Sequence, residues 1–88
     1  MPLISSFFGI IIKMYFRDED KHHKPHFHAK YGEYEAAIDF DGNILVGDFP
    51  PNKLKLVSAW TEIHKEELAA LWELMQTSDD YFRIKGLD

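Results

Sequence analysis

The 88-residue chain has no cysteine, only four prolines and five glycines, and a deficit of positive charge, with 10 Lys+Arg against 15 Asp+Glu. Without cysteine there is neither a disulfide framework nor a thiolate metal cage. The formal charge of −5 argues against a nucleic-acid binder that works by broad electrostatic attraction. Long hydrophobic runs are missing too. The longest, residues 7–12, is far short of a membrane span and follows no cationic segment of the kind a secretory signal carries. A soluble, cytoplasmic protein with no membrane association is expected. No repeat or Pro/Ser/Gly linker divides the chain, so residues 1–88 are expected to form one domain. What the chain does have is 45% hydrophobic and 15% aromatic content, too much for a disordered tail and enough for a core built from aromatics. It also has five histidines.

The first half reads as strands. Phe8, Ile10, Ile12, Met14 and Phe16 alternate with Gly9, Ile11, Lys13, Tyr15 and Arg17, and this period of two predicts one strand with the first set in the core. Residues 17–25 mix charges and end in a proline, which predicts a solvated loop. Tyr31-Gly32-Glu33-Tyr34 has the form of a two-residue type II′ hairpin turn. That register pairs Tyr31 with Tyr34, Ala29 with Ala36 and Phe27 with Ile38 on an apolar face. On the other face it pairs Lys30 with Glu35, His28 with Ala37 and His26 with Asp39. Asp41-Gly42 predicts a second turn, with a returning strand over residues 43–46 whose Ile44 and Val46 flank Asp39 on the histidine side.

The second half is helical in pattern. Pro51 suits a first helical turn. At 100° per residue Leu54, Val57, Trp60, Thr61, His64, Leu68, Leu71, Trp72 and Met75 share one stripe. The expected fold class is therefore α+β. It comprises an antiparallel β-meander of three to four strands over residues 1–48, with one long helix, or two collinear helices broken near Thr61, over residues 50–77 packed on one face. Residues 78–88 form a tail or a short edge strand through Ile84 and Leu87.

The histidines divide along these elements. His26 and His28, two apart on a strand, share a face with Asp39, so an imidazole pair with a carboxylate orienter is a candidate acid/base site. The same three residues form a candidate divalent-metal site, although no cofactor is the leading expectation. Against both stands the plainer reading that His26 and His28 are surface strand residues, His26 pairing with Asp39 and Lys30 with Glu35. His22 and His23 lie on the charged loop, and His22 is a candidate binding residue. His64, in the helix stripe, reads as a structural histidine satisfied by one hydrogen bond. Residues 13–30 carry five Lys/Arg and four histidines against three acids, whereas residues 33–48 carry five acids and no base. Despite the net charge, a phosphate could therefore meet Arg17 and Lys30 beside the histidines.

Three stretches together resemble a known family. They are Ile4-Ser5-x-Phe7-x-Gly9-Ile10-x-Ile12-x-Met14-Tyr15, His22-x-x-Pro25-His26-Phe27-His28-Ala29-x-Tyr31-Gly32, and Trp60-x-x-x-His64-x-x-Glu67-Leu68-x-x-x-Trp72. The family is a small bacterial one, domain of unknown function 4160. The resemblance covers nearly the whole chain. It implies that His22, His26, His28 and His64 belong to the defining motif, and that the gene neighbours another small one in an arrangement similar to toxin–antitoxin pairs. The chain departs from the family in its longer acidic loop before His22 and in having Lys24 where a second proline is more usual. On this basis two functions are expected. The first is a toxin-like partner in a two-gene module, such as a small ribonuclease using His26, His28 and Asp39 with Lys30 or Arg17 for phosphate. The second is a non-enzymatic binding module for a protein encoded nearby: an antitoxin, regulator subunit or adaptor, including a homodimeric one.

Overall fold

A computed structural model describes residues 2–17 and 24–87. Five strands run in chain order: β1 (Leu3–Phe7), β2 (Ile10–Lys13), β3 (His26–Tyr31), β4 (Tyr34–Asp39) and β5 (Ile44–Asp48). They form one antiparallel sheet in the order β1-β2-β3-β4-β5, followed by α1 (Pro51–Ile63) and α2 (Lys65–Thr77). The α+β class and the meander are as expected, but there are five strands rather than three to four.

The extra strand comes from a turn inside the stretch expected to be continuous. Phe7 pairs with Ile10, and Phe8 and Gly9 form the loop between them with φ of 50° and 80°, the two positive values a type I′ hairpin needs. A two-residue turn inverts the parity of the alternation. Ser5 and Phe7 face the core before it, Ile10, Ile12 and Met14 after it. Phe8, expected in the core because it shares the parity of Ile10, is half exposed at the turn. Phe16 is half-buried and lies edge-on to Tyr81.

The β3–β4 register is the expected one at every pair from His26↔Asp39 to Tyr31↔Tyr34. Gly32 has a φ of 58° and Glu33 does not share the positive sign, as a type II′ turn requires. The next turn is closed by the Gly42 N–H donating to the Asp39 carbonyl at 3.1 Å. Beyond it β5 runs two residues past its expected end at residue 46. A bulge leaves Val46 opposite Ala37 but Ile44 opposite Ile38, so Ile44 does not share the register position expected for it beside Asp39. Gly47 permits the close approach of the strands here: a Cβ at this position would collide with the Glu35 carbonyl oxygen.

The helices cover one face of the sheet. Val57, Trp60, Leu68, Leu71 and Met75 join Phe7, Ile10, Ile12, Phe27 and Ile38 in a single buried cluster. Trp60 is its centre, with ring centroids 5.4 Å from Phe7 and 5.6 Å from Phe27. The helices meet at His64 rather than near Thr61. The hydroxyl of Thr61 bonds back to the Val57 carbonyl at 2.7 Å without breaking the helix, whereas His64 leaves helical geometry at φ −109°, ψ 23°. Residues 81–87 add no strand to the sheet. Ile84 makes one ladder-like bond, N–H to the Ile4 carbonyl at 2.7 Å, and the Trp60 Nε1–H bonds the Lys85 carbonyl at 2.8 Å. This anchors the tail along β1. No helix among the described residues is long and apolar enough to cross a membrane.

Candidate functional site

The histidine row of β3 lies on the face of the sheet opposite Phe27 and Ala29 of the buried cluster. Lys13 pairs with His28 and Ile11 with Lys30, which adds β2 side chains to the row that β3 and β4 supply. His26 and His28 project together, ring centroids 5.3 Å apart, but their environments differ. His26 is fully buried, its ring 5.3 Å from Trp72 of α2. Its Nδ1 lies 2.7 Å from the Lys24 carbonyl oxygen. A carbonyl only accepts, so Nδ1 carries the proton and Nε2 is the basic nitrogen of the neutral ring. His28 is half-buried and meets the edge of Tyr15 at 4.5 Å.

Asp39 sits at the register position opposite His26, yet its carboxylate performs a task other than the expected orientation of that ring. Oδ1 accepts the main-chain N–H groups of Asp41 and Asn43, both at 2.9 Å. Oδ2 accepts the Lys24 ammonium at 2.9 Å and the Asn43 side chain at 3.5 Å. A buried carboxylate at the start of a turn is stabilised by the N–H groups that the turn converges on it. Burial pushes its pKa up, but the Lys24 hydrogen bond and the Asn43 and Asp41 N–H groups outweigh burial and hold it below the ordinary value. The same hydrogen bond and charge of Asp39 raise the pKa of Lys24. Lys24 is thus a clasp: its side chain holds Asp39 while its carbonyl fixes the tautomer of His26. The group that sets that tautomer is a main-chain oxygen.

Beside His28 a pocket of about 210 Å³ opens, lined by Ile11, Lys13, Tyr15, His28, Lys30 and Glu35, with Ala29 behind them. Lys30 and Glu35 form the expected cross-strand pair at a long 4.0 Å, so the ammonium is only loosely held. Arg17, expected beside the phosphate position, instead binds Asp79 at 2.5 Å while its N–H bonds the Met75 carbonyl at 3.1 Å. It ties the end of α2 to the chain leaving β2. His22 and His23 lie outside the described residues. Among the described residues no three His, Asp or Glu side chains gather as a metal-holding group. His64 fits its structural reading, with Nδ1 2.6 Å from Glu67 Oε1 and its ring against Trp60.

Sequence reasoning missed Lys13 and Tyr15. Both fall on the outer face of the expected first strand, and only the β2–β3 pairing, which no local pattern specifies, brings them to His28. The fold and site together define a class: a small α+β protein whose five-stranded meander is covered by helices on one face and carries a histidine–lysine pocket on the other. The chain belongs to the family described as Domain of unknown function (DUF4160), whose model matches residues 9–73. That span includes every described residue of the pocket. No curated protein and no solved structure matches the chain.

Proposed function

We propose that this chain is a small ribonuclease, the toxin-like member of a two-gene module, acting in the cytoplasm. The observation that carries the reading is His28, a partly accessible imidazole opening into a pocket that also holds two lysines and a tyrosine. In the reaction this implies, His28 takes the proton of a ribose 2′-hydroxyl. The freed oxygen attacks the adjacent phosphorus as the bond to the 5′ oxygen breaks. The Tyr15 hydroxyl supplies a proton to the departing oxygen, leaving a 2′,3′-cyclic phosphate and a 5′-hydroxyl. Lys13 and Lys30 offset the charge that develops on the non-bridging oxygens. His26, being buried, is a positioning residue that packs behind His28, and Lys24 with Asp39 positions His26 in turn.

The test is cleavage of a mixed RNA pool by the purified chain and by His28→Gln, alongside growth of cells expressing each. General acid/base groups contribute roughly 10²- to 10⁴-fold, so His28→Gln should lose at least about two orders of magnitude at an unchanged melting temperature. Equal cleavage and equal growth effects for the two proteins would refute the reading. The competing reading, a protein-binding module, is supported by the exposed Ile44 and Val46 of edge strand β5. A stable complex with the neighbouring gene product that buries β5, formed by a chain without any cleavage activity, would favour it.

A further inference from the structure

The register arranges the histidine face in two rows across the strands. One runs Lys13, His28, Ala37, Val46 from β2 to β5; the next runs Ile11, Lys30, Glu35, Asp48. Their chemistry changes along the way. The β2–β3 end carries the cationic groups and the pocket, and the far end of the second row is acidic. The far end of the first row is apolar: Ala37 is buried and Val46 is 54% exposed. Neighbouring strands lie about 4.8 Å apart, so Val46 stands roughly 10 Å from His28.

Size and charge limit what this surface can hold. A pocket of about 210 Å³ is smaller than the ~300–1,000 Å³ of sites that enclose a drug-sized ligand, so it takes a phosphate with little more. Lys13 and Lys30 both line it and offset the charge of that one phosphate. Glu35 and Asp48 repel a backbone that continues toward β5, so along the first row only an uncharged, flat group can follow the phosphate. We propose that the substrate is single-stranded RNA, held by one phosphate at Lys13 and Lys30 with the adjoining base lying against Val46. This deepens the ribonuclease reading and rests on it. Bases in a duplex are stacked inward and cannot reach such a shelf, whereas an unpaired base presents its face to any suitable surface.

The probe is a 2′-O-methyl hexanucleotide, which binds but lacks the attacking hydroxyl, used as a single strand and as a duplex with its complement. The single strand should bind at least about tenfold tighter than the duplex. Its log K should fall with log salt at a slope of about −0.7, for the one phosphate neutralised. Lys13→Gln should weaken binding at least about threefold. Val46→Ser, at an exposed position where folding is little affected, should weaken binding roughly threefold to fivefold with the slope unchanged. Equal affinity for the duplex, a slope steeper than about −3, or wild-type binding by Val46→Ser would overturn the proposal. The two readings fail separately. Binding of the single strand by a chain that cleaves no RNA leaves the substrate inference standing and removes the ribonuclease. His28-dependent transesterification of 2-hydroxypropyl p-nitrophenyl phosphate, which carries the attacking hydroxyl but no base, without binding of the hexanucleotide, removes the substrate inference alone.

Discussion

On the face turned to the helices, Ile10, Ile12, Phe27, Ala29 and Ile38 are fully buried. On the opposite face the same strands present Lys13, His28 and Lys30 around a pocket. The backbone is common to both faces, so the difference lies wholly in the side chains. The helix-covered face is stabilised by apolar area removed from water, a term that needs no particular partner. The histidine face depends on specific pairs: Lys24 with Asp39, Lys30 with Glu35, His26 with a main-chain carbonyl. The first arrangement makes stability and the second makes a candidate site. Substitutions on the two faces should therefore separate folding from the proposed activity.

The largest expected effect is on the helix-covered face. Trp60 is fully buried, touches Phe7 and Phe27, and donates to the Lys85 carbonyl that anchors the tail. Trp60→Ala leaves a cavity and frees the tail, at a cost of about 3–5 kcal/mol by the usual range for such truncations. In a chain of this size that is a large fraction of total stability. Urea denaturation measures it, with His28→Gln as the contrast at under about 1 kcal/mol. A Trp60→Ala protein that unfolds at nearly the wild-type urea midpoint would break the division between the faces.

Asp39 tests whether the histidine face has any structural share. Its carboxylate accepts an ammonium and two main-chain N–H groups, and hydrogen bonds to charged groups are worth about 1.5–3 kcal/mol. Asp39→Ala should cost about that much and also loosen His26, since Lys24 loses its anchor. The pH dependence follows from the lowered pKa of Asp39. A carboxylate held below its ordinary value binds fewer protons folded than unfolded. Its contribution is therefore present above the ordinary Asp pKa of about 4, and it is lost as pH falls through the lower folded value. Lys24, whose pKa is raised, gives the mirror image. Its share is present below the ordinary lysine range and is lost as pH rises through the folded value. Melting temperatures of wild type and Asp39→Asn should therefore converge on acidification below about pH 4. A constant gap between them down to the most acidic measurable pH would assign the stabilisation to something other than the charge.

The two faces also differ in how far the sequence disclosed them. The core face follows from periods of two and 3.6. Ile10, Ile12, Phe27, Ile38, Val57, Trp60, Leu68 and Met75 are identifiable from spacing because burial is a property of each residue's own position. The His26↔Asp39 register was legible too, since a two-residue turn with Gly32 fixes every pair beyond it. The pocket was not. Lys13 and Tyr15 reach His28 only through the β2–β3 pairing, and the loop joining those strands carries no turn pattern that sets a register. The role of Asp39 was misjudged for a related reason. An acceptor opposite a histidine suggests an ion pair, but the N–H groups of its own turn lie closer in sequence and cost less entropy to gather. Arg17 was lost to Asp79, 62 residues away, which no local reading reaches.

The smallest expected effect concerns the turn where the alternation changes parity. Phe8 has a φ of 50°, a conformation that costs an L residue about 1–2 kcal/mol and that asparagine tolerates better. Its ring is half exposed, so the side chain returns only part of its burial energy. Phe8→Asn creates the Asn-Gly dipeptide preferred in type I′ turns and should stabilise the protein by roughly 0.5–1 kcal/mol, read as a rise in melting temperature. The result bears directly on the two faces. If Phe8 belongs to neither, its removal leaves both the core and the pocket as they are and only the turn improves. A destabilised Phe8→Asn protein would mean that the exposed ring still contributes to the apolar face. The alternation would then persist energetically through a turn that interrupts it geometrically, and the boundary between the faces would lie at the pocket rather than at the β1–β2 hairpin.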